Sequence, residues 1–215
     1  ANSRNVQERI RKFYRRDSVV VYPPVNLKEF RIKNQESRIK DRKYFLVLSR
    51  LSRGKGVDVI IEACSKLGLP LKIAGTGPEL ENLKKLTTNY KLQTTNFLGW
   101  VSDDERIKLL QNAKALIIAS EDEDFGITSI EAQAAGTPVI APASGGFLET
   151  VIDGTTGILY GGPGMVTVDS LVEALEKFDP SQFKAEDLRK NAEKFSKERF
   201  KKEILELVEK NYGKS

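Results

Sequence analysis

Two carboxylates, Glu123 and Glu131, stand on either side of a Phe125-Gly126 pair in the stretch 121–136, EDEDFGITSIEAQAAG. An apolar run, ALIIAS, precedes this stretch and a second, TPVIAPA, follows it. A strand feeding a short glycine-containing loop and then a helix aims free backbone N–H groups at the edge of a sheet. That helix end carries partial positive charge and suits a phosphate. Thr128 or Ser129 is expected to cap the helix, which runs through Ala135 and stops at Gly136, where glycine tolerates positive φ. Glu131, placed in the first helical turn, can accept hydrogen bonds from both hydroxyls of a ribose. Glu123, ahead of the glycine, can reach a hydroxyl on the far side of the phosphates. The bland alternative makes Glu131 a helix-capping acid and Glu123 a solvated loop residue.

Three more loops follow apolar runs. Residues 49–56, SRLSRGKG, place Arg50, Arg53 and Lys55 where cations could neutralise a diphosphate leaving group. A merely cation-rich surface loop is the alternative. Residues 75–78, GTGP, begin like a dinucleotide fingerprint, but Leu80 stands where its third glycine belongs and no ribose-binding acid follows at the expected distance. They are read as a tight turn at Gly75 allowing close ligand approach, and no NAD site is expected. Residues 144–146, SGG, pair Gly145 with Gly146 and permit close backbone approach. Glu149, just beyond, reads equally as a ligand contact or a helix cap. Asp122, Glu123 and Asp124 form an acidic string of metal-binding type, but beside a Phe-Gly turn and a helix start, so no metal is expected.

The elements that must hold these loops follow from periodicity. Strand candidates are residues 18–22, 44–49, 71–74, 96–98, 115–119, 139–141 and 157–160, near-continuous apolar runs of the kind buried on both faces. Between them lie three-four patterns: Val57/Ile60/Ile61/Cys64, Leu80/Leu83, Ile107/Leu110 and Leu171/Leu175/Phe178. Helices are also expected over 6–14, 147–152 and 195–212, the last carrying Phe200, Ile204, Leu207 and Val208 on one side. Residues 30–42 read as a polar, exposed loop. Alternating β and α segments predict an α/β, doubly wound parallel sheet, which binds its ligand at the carboxyl ends of the strands.

Composition bounds the rest. The 215 residues, 40% hydrophobic and 30% charged, suffice for one sizeable core. No apolar run reaches the ~18–20 residues that cross a bilayer. Residues 1–16 are polar and basic, without a stretch of signal-peptide type, so a cytoplasmic location is expected. Histidine is absent, which removes the commonest general base and metal ligand. The single cysteine, Cys64, makes no intramolecular disulfide and falls on a core pattern. The net charge of +5 is densest over residues 9–16, read as a solvated helix face, with a nucleic-acid or anionic-lipid patch as the alternative. No nucleic-acid motif accompanies it, and no nucleic-acid partner is expected.

Taken in order, these loops resemble the retaining glycosyltransferases of GT-B fold, family GT4. The family's two glutamates, separated by seven residues around a Phe-Gly turn, match Glu123-DFGITSI-Glu131 followed by AQAAGTPVI. Its basic loop resembles RLSRGKG at 50–56, its glycine turn GTGP at 75–78, its base-side loop FLGWV at 97–101, and its later segment SGGFLETVIDGTTG at 144–157. The resemblance runs over nearly the whole chain but over only the second half of a family member. It implies the end of a first domain and an interdomain helix over 1–17, a Rossmann-like nucleotide-sugar domain over 18–194, and a helix crossing back over 195–215. The rest of the first domain, with the acceptor site, would lie outside the chain.

The resemblance also implies roles. Arg50 and Lys55 would hold the diphosphate and Glu131 the ribose. Glu123, with backbone amides at Gly126, Ile127 and Thr128, would hold the transferred sugar. Gly75 and Val101 would flank the base, and Gly145 belongs to the donor site. The nucleoside diphosphate would depart with retention at the anomeric carbon, needing no metal and no cofactor beyond the nucleotide sugar itself. A finer resemblance, to mannosyltransferases of O-antigen and archaeal surface-glycan pathways, implies GDP-mannose as donor and a glycan or lipid-linked acceptor. Asp124 and Gln133 stand where many relatives have glycine and methionine. The full-length enzyme would associate peripherally with the cytoplasmic face of a membrane, and the fragment alone would transfer nothing. The alternatives are a nucleotide-sugar epimerase of the same fold and a non-catalytic nucleotide-binding module. A phosphorylase would need a lysine-bound pyridoxal phosphate, for which no segment argues.

Overall fold

The computed structural model describes residues 1–30, 39–89 and 94–213. The six strands of its sheet are β1 (Tyr44–Leu48), β2 (Leu71–Ala74), β3 (Thr95–Gly99), β4 (Ala113–Ile117), β5 (Val139–Pro142) and β6 (Gly157–Tyr160). They lie in the order β3-β2-β1-β4-β5-β6, every neighbouring pair parallel. The α/β, doubly wound sheet expected from the alternation is the one observed. Because both faces are covered, successive strand residues divide between two cores. Phe45, Val47, Ala115, Ile117 and Ile140 pack towards α2 (Val57–Lys66), α3 (Leu80–Asn89) and α7 (Val168–Lys177). Leu46, Leu116, Val139 and Ala141 pack towards α4 (Asp103–Asn112) and α5 (Ile127–Ala134), with Ala192 of α8 (Ala185–Glu193) alongside.

From β1 the chain winds outward through β2 and β3. It then returns to the other side of β1 as β4 and winds the opposite way. The connections leaving β1 and β4 therefore diverge, and a crevice opens above their carboxyl ends, where sheets of this topology bind ligands.

The first helix, α1 (Arg4–Tyr14), begins two residues before its expected start. Ser3 caps it, its Oγ accepting from the Val6 amide at 3.0 Å. The last, α9 (Lys197–Tyr212), starts after Ser196, whose Oγ accepts from the Arg199 amide. Phe195 is left outside that helix and buried. Ile204, Leu205 and Val208 on α9 are exposed. Between them, α6 (Phe147–Thr150) is shorter than expected.

Two expectations fail. Residues 18–22 form no strand of the sheet. Two of their backbone bonds go to the first residue, Ala1 N to Val19 O at 2.8 Å and Val21 N to Ala1 O at 2.9 Å. Pro23 and Pro24, which have no amide hydrogen to give, directly follow. Nor are residues 30–42 simply an exposed loop. Phe30, Ile39 and Arg42 are buried, and Arg42 donates to Ala113 O at 3.1 Å and to Thr137 Oγ1 at 2.7 Å. Residues 31–38 of that stretch lie outside the described residues.

Candidate functional site

The loops leaving β1, β2 and β3 are laced together by backbone bonds: Ser49 N to Ala74 O, Leu51 N to Thr76 O, and Gly75 N to Gly99 O at 2.7 Å. Such close passage demands glycine. Gly75 sits at φ +138°, and a Cβ there would lie 1.9 Å from the Ser49 carbonyl oxygen. The glycine turn thus lets the basic loop run beside it. Arg50 is exposed on that loop, and Lys55 ends the short 3-10 turn Arg53–Lys55 before α2. Arg53 points elsewhere, to Glu79 at 3.5 Å.

The acidic loop leaves β4 beside it. Lys55 Nζ donates to Glu123 Oε2 at 2.9 Å, with the two side chains 35% and 28% exposed. Ser120 Oγ lies 3.4 Å from the same oxygen. The caps expected at Thr128 or Ser129 are not there. Gly126 is the N-cap of α5, at φ +83°, and contributes no side chain. Ser129 instead donates to Gly126 O at 2.7 Å and is fully buried. The N-cap must be glycine because a Cβ would lie 2.7 Å from the Phe147 ring. An uncapped start leaves first-turn N–H groups without intrahelical partners.

Glu131 is also displaced from its expected place. It is the fifth residue of α5, beyond the first turn, and ion-pairs with Arg106 of α4; their side chains are 18% and 22% exposed. Burial disfavours the Arg106 charge, but the neighbouring Glu131 and Asp103 carboxylates outweigh it and raise its pKa.

Two hollows share a wall made by Leu48, Ser49 and Thr128. One, about 40 Å³, is lined by Lys55, Ser120, Glu123 and Gly126. The other, about 570 Å³, is lined by Arg50, Gly75, Thr76, Trp100, Val101 and Arg106. Together they form a trough along the carboxyl edge of the sheet, above β1 and β4. The structure therefore gathers Arg50, Lys55, Glu123, Gly126, Thr128, Gly75 and Val101 around one trough. Glu131 stands behind the wall and reaches it through Arg106. Ile127 is exposed at the start of α5. Gly145 underlies the acidic loop, where a Cβ would lie 2.6 Å from Glu123 O.

Glu149 is a cap, and the helix it caps is α1. Its carboxylate accepts from the Arg4 and Asn5 amides at 2.9 and 3.0 Å, and from Tyr22 Oη at 2.9 Å. Asp124 of the acidic string pairs with Arg9 at 2.6 Å. Sequence reasoning missed Arg106, Ser120 and the Glu149 bridge to α1. Arg106 carries only an i,i+3 signal towards Asp103, and nothing along the chain marks its pairing with Glu131. Chemically, the trough offers three cations, Arg50, Lys55 and Arg106, a helix amino end and the Glu123 carboxylate, with Glu131 behind its wall, a set suited to an elongated ligand with a phosphate centre.

A family model, glycosyl transferases group 1, matches residues 28–195, and the chain belongs to that family. It is 35% identical over 156 residues to an uncharacterised glycosyltransferase of Methanocaldococcus jannaschii, covering 65% of this chain and 40% of the relative. It is 30% identical over 178 residues to the alpha-1,3/1,6-mannosyltransferase ALG2 of Dictyostelium discoideum, covering 65% of this chain and 42% of that protein. The chain thus spans about two-fifths of the length of these relatives. Among solved structures it superimposes on Anabaena HepE, crystallised with UDP and glucose, with a TM-score of 0.83 and 23% identity, covering 98% of this chain and 62% of that one. That likeness concerns the fold, which is the GT-B architecture the sequence resembles. Among the described residues, no helix is long and apolar enough to cross a membrane.

Proposed function

We propose that this chain is the donor-binding domain of a retaining glycosyltransferase that moves a hexose, mannose from GDP-mannose, to a glycan or lipid-linked acceptor. The observation that carries the reading is the convergence of the α5 amino end, the Lys55–Glu123 pair and Arg50 on one trough above β1 and β4. The diphosphate lies across the open N–H groups of α5 with Arg50 and Lys55 beside it. These positive groups stabilise the charge that develops as the nucleoside diphosphate leaves. Glu123 takes a sugar hydroxyl at one end. Towards the other end Glu131, held by Arg106, takes the ribose, and the base lies by Gly75 and Val101. The sugar keeps its anomeric configuration, and no metal or further cofactor enters.

In this reading residues 1–17 lead in from an acceptor-binding domain, 18–194 hold the donor, and 195–215 cross back. The whole enzyme works at the cytoplasmic face of a membrane. Mannose and GDP are favoured by the resemblance of residues 123–141 and by the similarity to a mannosyltransferase. The neighbour crystallised with UDP argues the other way. Titration calorimetry with GDP, UDP and ADP decides: GDP is expected to bind most tightly. Equal or tighter UDP binding overturns the GDP assignment, and binding of none overturns the donor-domain reading.

A further inference from the structure

The acidic loop is held from behind by a helix that forms no part of the trough. The Glu123 carbonyl oxygen accepts from Gly146 N at 2.8 Å and from Asn5 Nδ2 of α1 at 3.3 Å. One residue further on, Asp124 pairs with Arg9, one helical turn along α1. The helix is in turn fixed by Glu149, which takes both of its first amide hydrogens while Ser3 takes the third. Tyr22, bonded to the same carboxylate, stacks on Phe125 of the acidic loop at 5.6 Å. Contacts from α1 and from the segment bonded to its cap thus fall on Glu123, Asp124 and Phe125 in succession.

The loop needs holding. Asp122 sits in the left-handed region at φ +55°, shared among the described non-glycine residues only with Arg15 at the end of α1. An aspartate tolerates this better than most residues. The conformation still carries strain and persists only where its surroundings over-determine it.

We infer, resting on the donor-site reading, that Asn5 and Arg9 are positioning residues. Through the backbone of residues 122–124, α1 sets where the Glu123 carboxylate stands relative to Lys55. The sugar-binding end of the trough then follows the position of α1, whereas the diphosphate end, built on α5 and the β1 loop, does not. Asp124 supplies the carboxylate that Arg9 pairs with.

The test separates these two ends. Asn5→Ala, Arg9→Ala and their combination are compared with the parent for GDP-mannose against GDP and for UDP-glucose against UDP by calorimetry. The double variant is expected to weaken nucleotide-sugar binding about three- to tenfold while changing nucleoside-diphosphate binding less than about twofold. Exchanging the charges, Arg9→Asp with Asp124→Arg, restores the preference for the nucleotide sugar. Lys12→Ala, on the exposed face of α1, leaves it unchanged. A contact that merely stabilises the fold would lower the thermal midpoint and both affinities alike. That result, or an unaltered preference in the double variant, overturns the inference. A parent that binds neither ligand pair overturns the donor-site reading itself, and the inference with it.

Discussion

Glu131 shows how one carboxylate can be committed and still useful. Its pairing with Arg106 fixes the side chain and spares it the cost of an unpaired, largely buried charge. A carboxylate has more acceptor positions than one ion pair fills, so the fixed group can still receive ribose hydroxyls. Hydrogen bonds to a charged partner are worth ~1.5–3 kcal/mol, and ~1.4 kcal/mol is a factor of ten. Glu131→Ala is therefore expected to weaken GDP at least about tenfold while changing 2′-deoxy-GDP far less. Equal losses for the two nucleotides in calorimetry would show that the carboxylate acts only by holding Arg106.

At the scale of elements, the trough exists because three loops pass closer than side chains allow. Gly75 is where this closeness is most demanding, with a positive φ and a carbonyl in the space of its missing Cβ. Gly75→Ala must push the Ser49 carbonyl aside or distort the turn. It is expected to cost about 1–3 kcal/mol, seen as a lower urea midpoint with an unchanged slope. Gly54, in the adjacent basic loop, has no positive φ and no atom within 4 Å of a built Cβ. Gly54→Ala is accordingly expected to stay within about 0.5 kcal/mol of the parent. Equal effects at the two sites would refute the close-passage account.

Across the whole molecule, both cores contain groups that titrate only at high pH. Burial pushes the Cys64 thiol from its usual 9.0 up to about 12, and the Tyr44 phenol from 10.0 up to about 12. The unfolded chain releases these protons earlier than the folded one. Their contribution is thus fully present below pH ~9 and is lost as pH rises towards ~12. The urea midpoint is expected to fall steadily above pH ~9, and Cys64→Ala to flatten part of that fall. A thiol reagent at pH 8 should label Cys64 only after unfolding. Rapid labelling of the native protein would contradict its burial.

What the sequence by itself determined is the order of elements and which loops follow the strands of the sheet. Hydrophobic runs such as YFLVL and ALII can be satisfied only inside a covered sheet. The glycines after them mark loops that pass close to something. These are local properties of the chain, so Arg50, Lys55, Gly75, Glu123 and Gly126 were legible as one set of loops. Partners chosen across space were not. Serine is a better cap than glycine by intrinsic preference, yet the Phe147 ring leaves room only for Gly126 at the cap position. The β-branched run 18–22 has strand propensity, but a strand needs a neighbour, and Val19 and Val21 bond to Ala1 instead of to the sheet. The pairs Glu131–Arg106, Asp124–Arg9 and Glu149 with the start of α1 join residues far apart along the chain. Which cation a carboxylate meets is set by how helices pack on the sheet, and only the tertiary structure decides that.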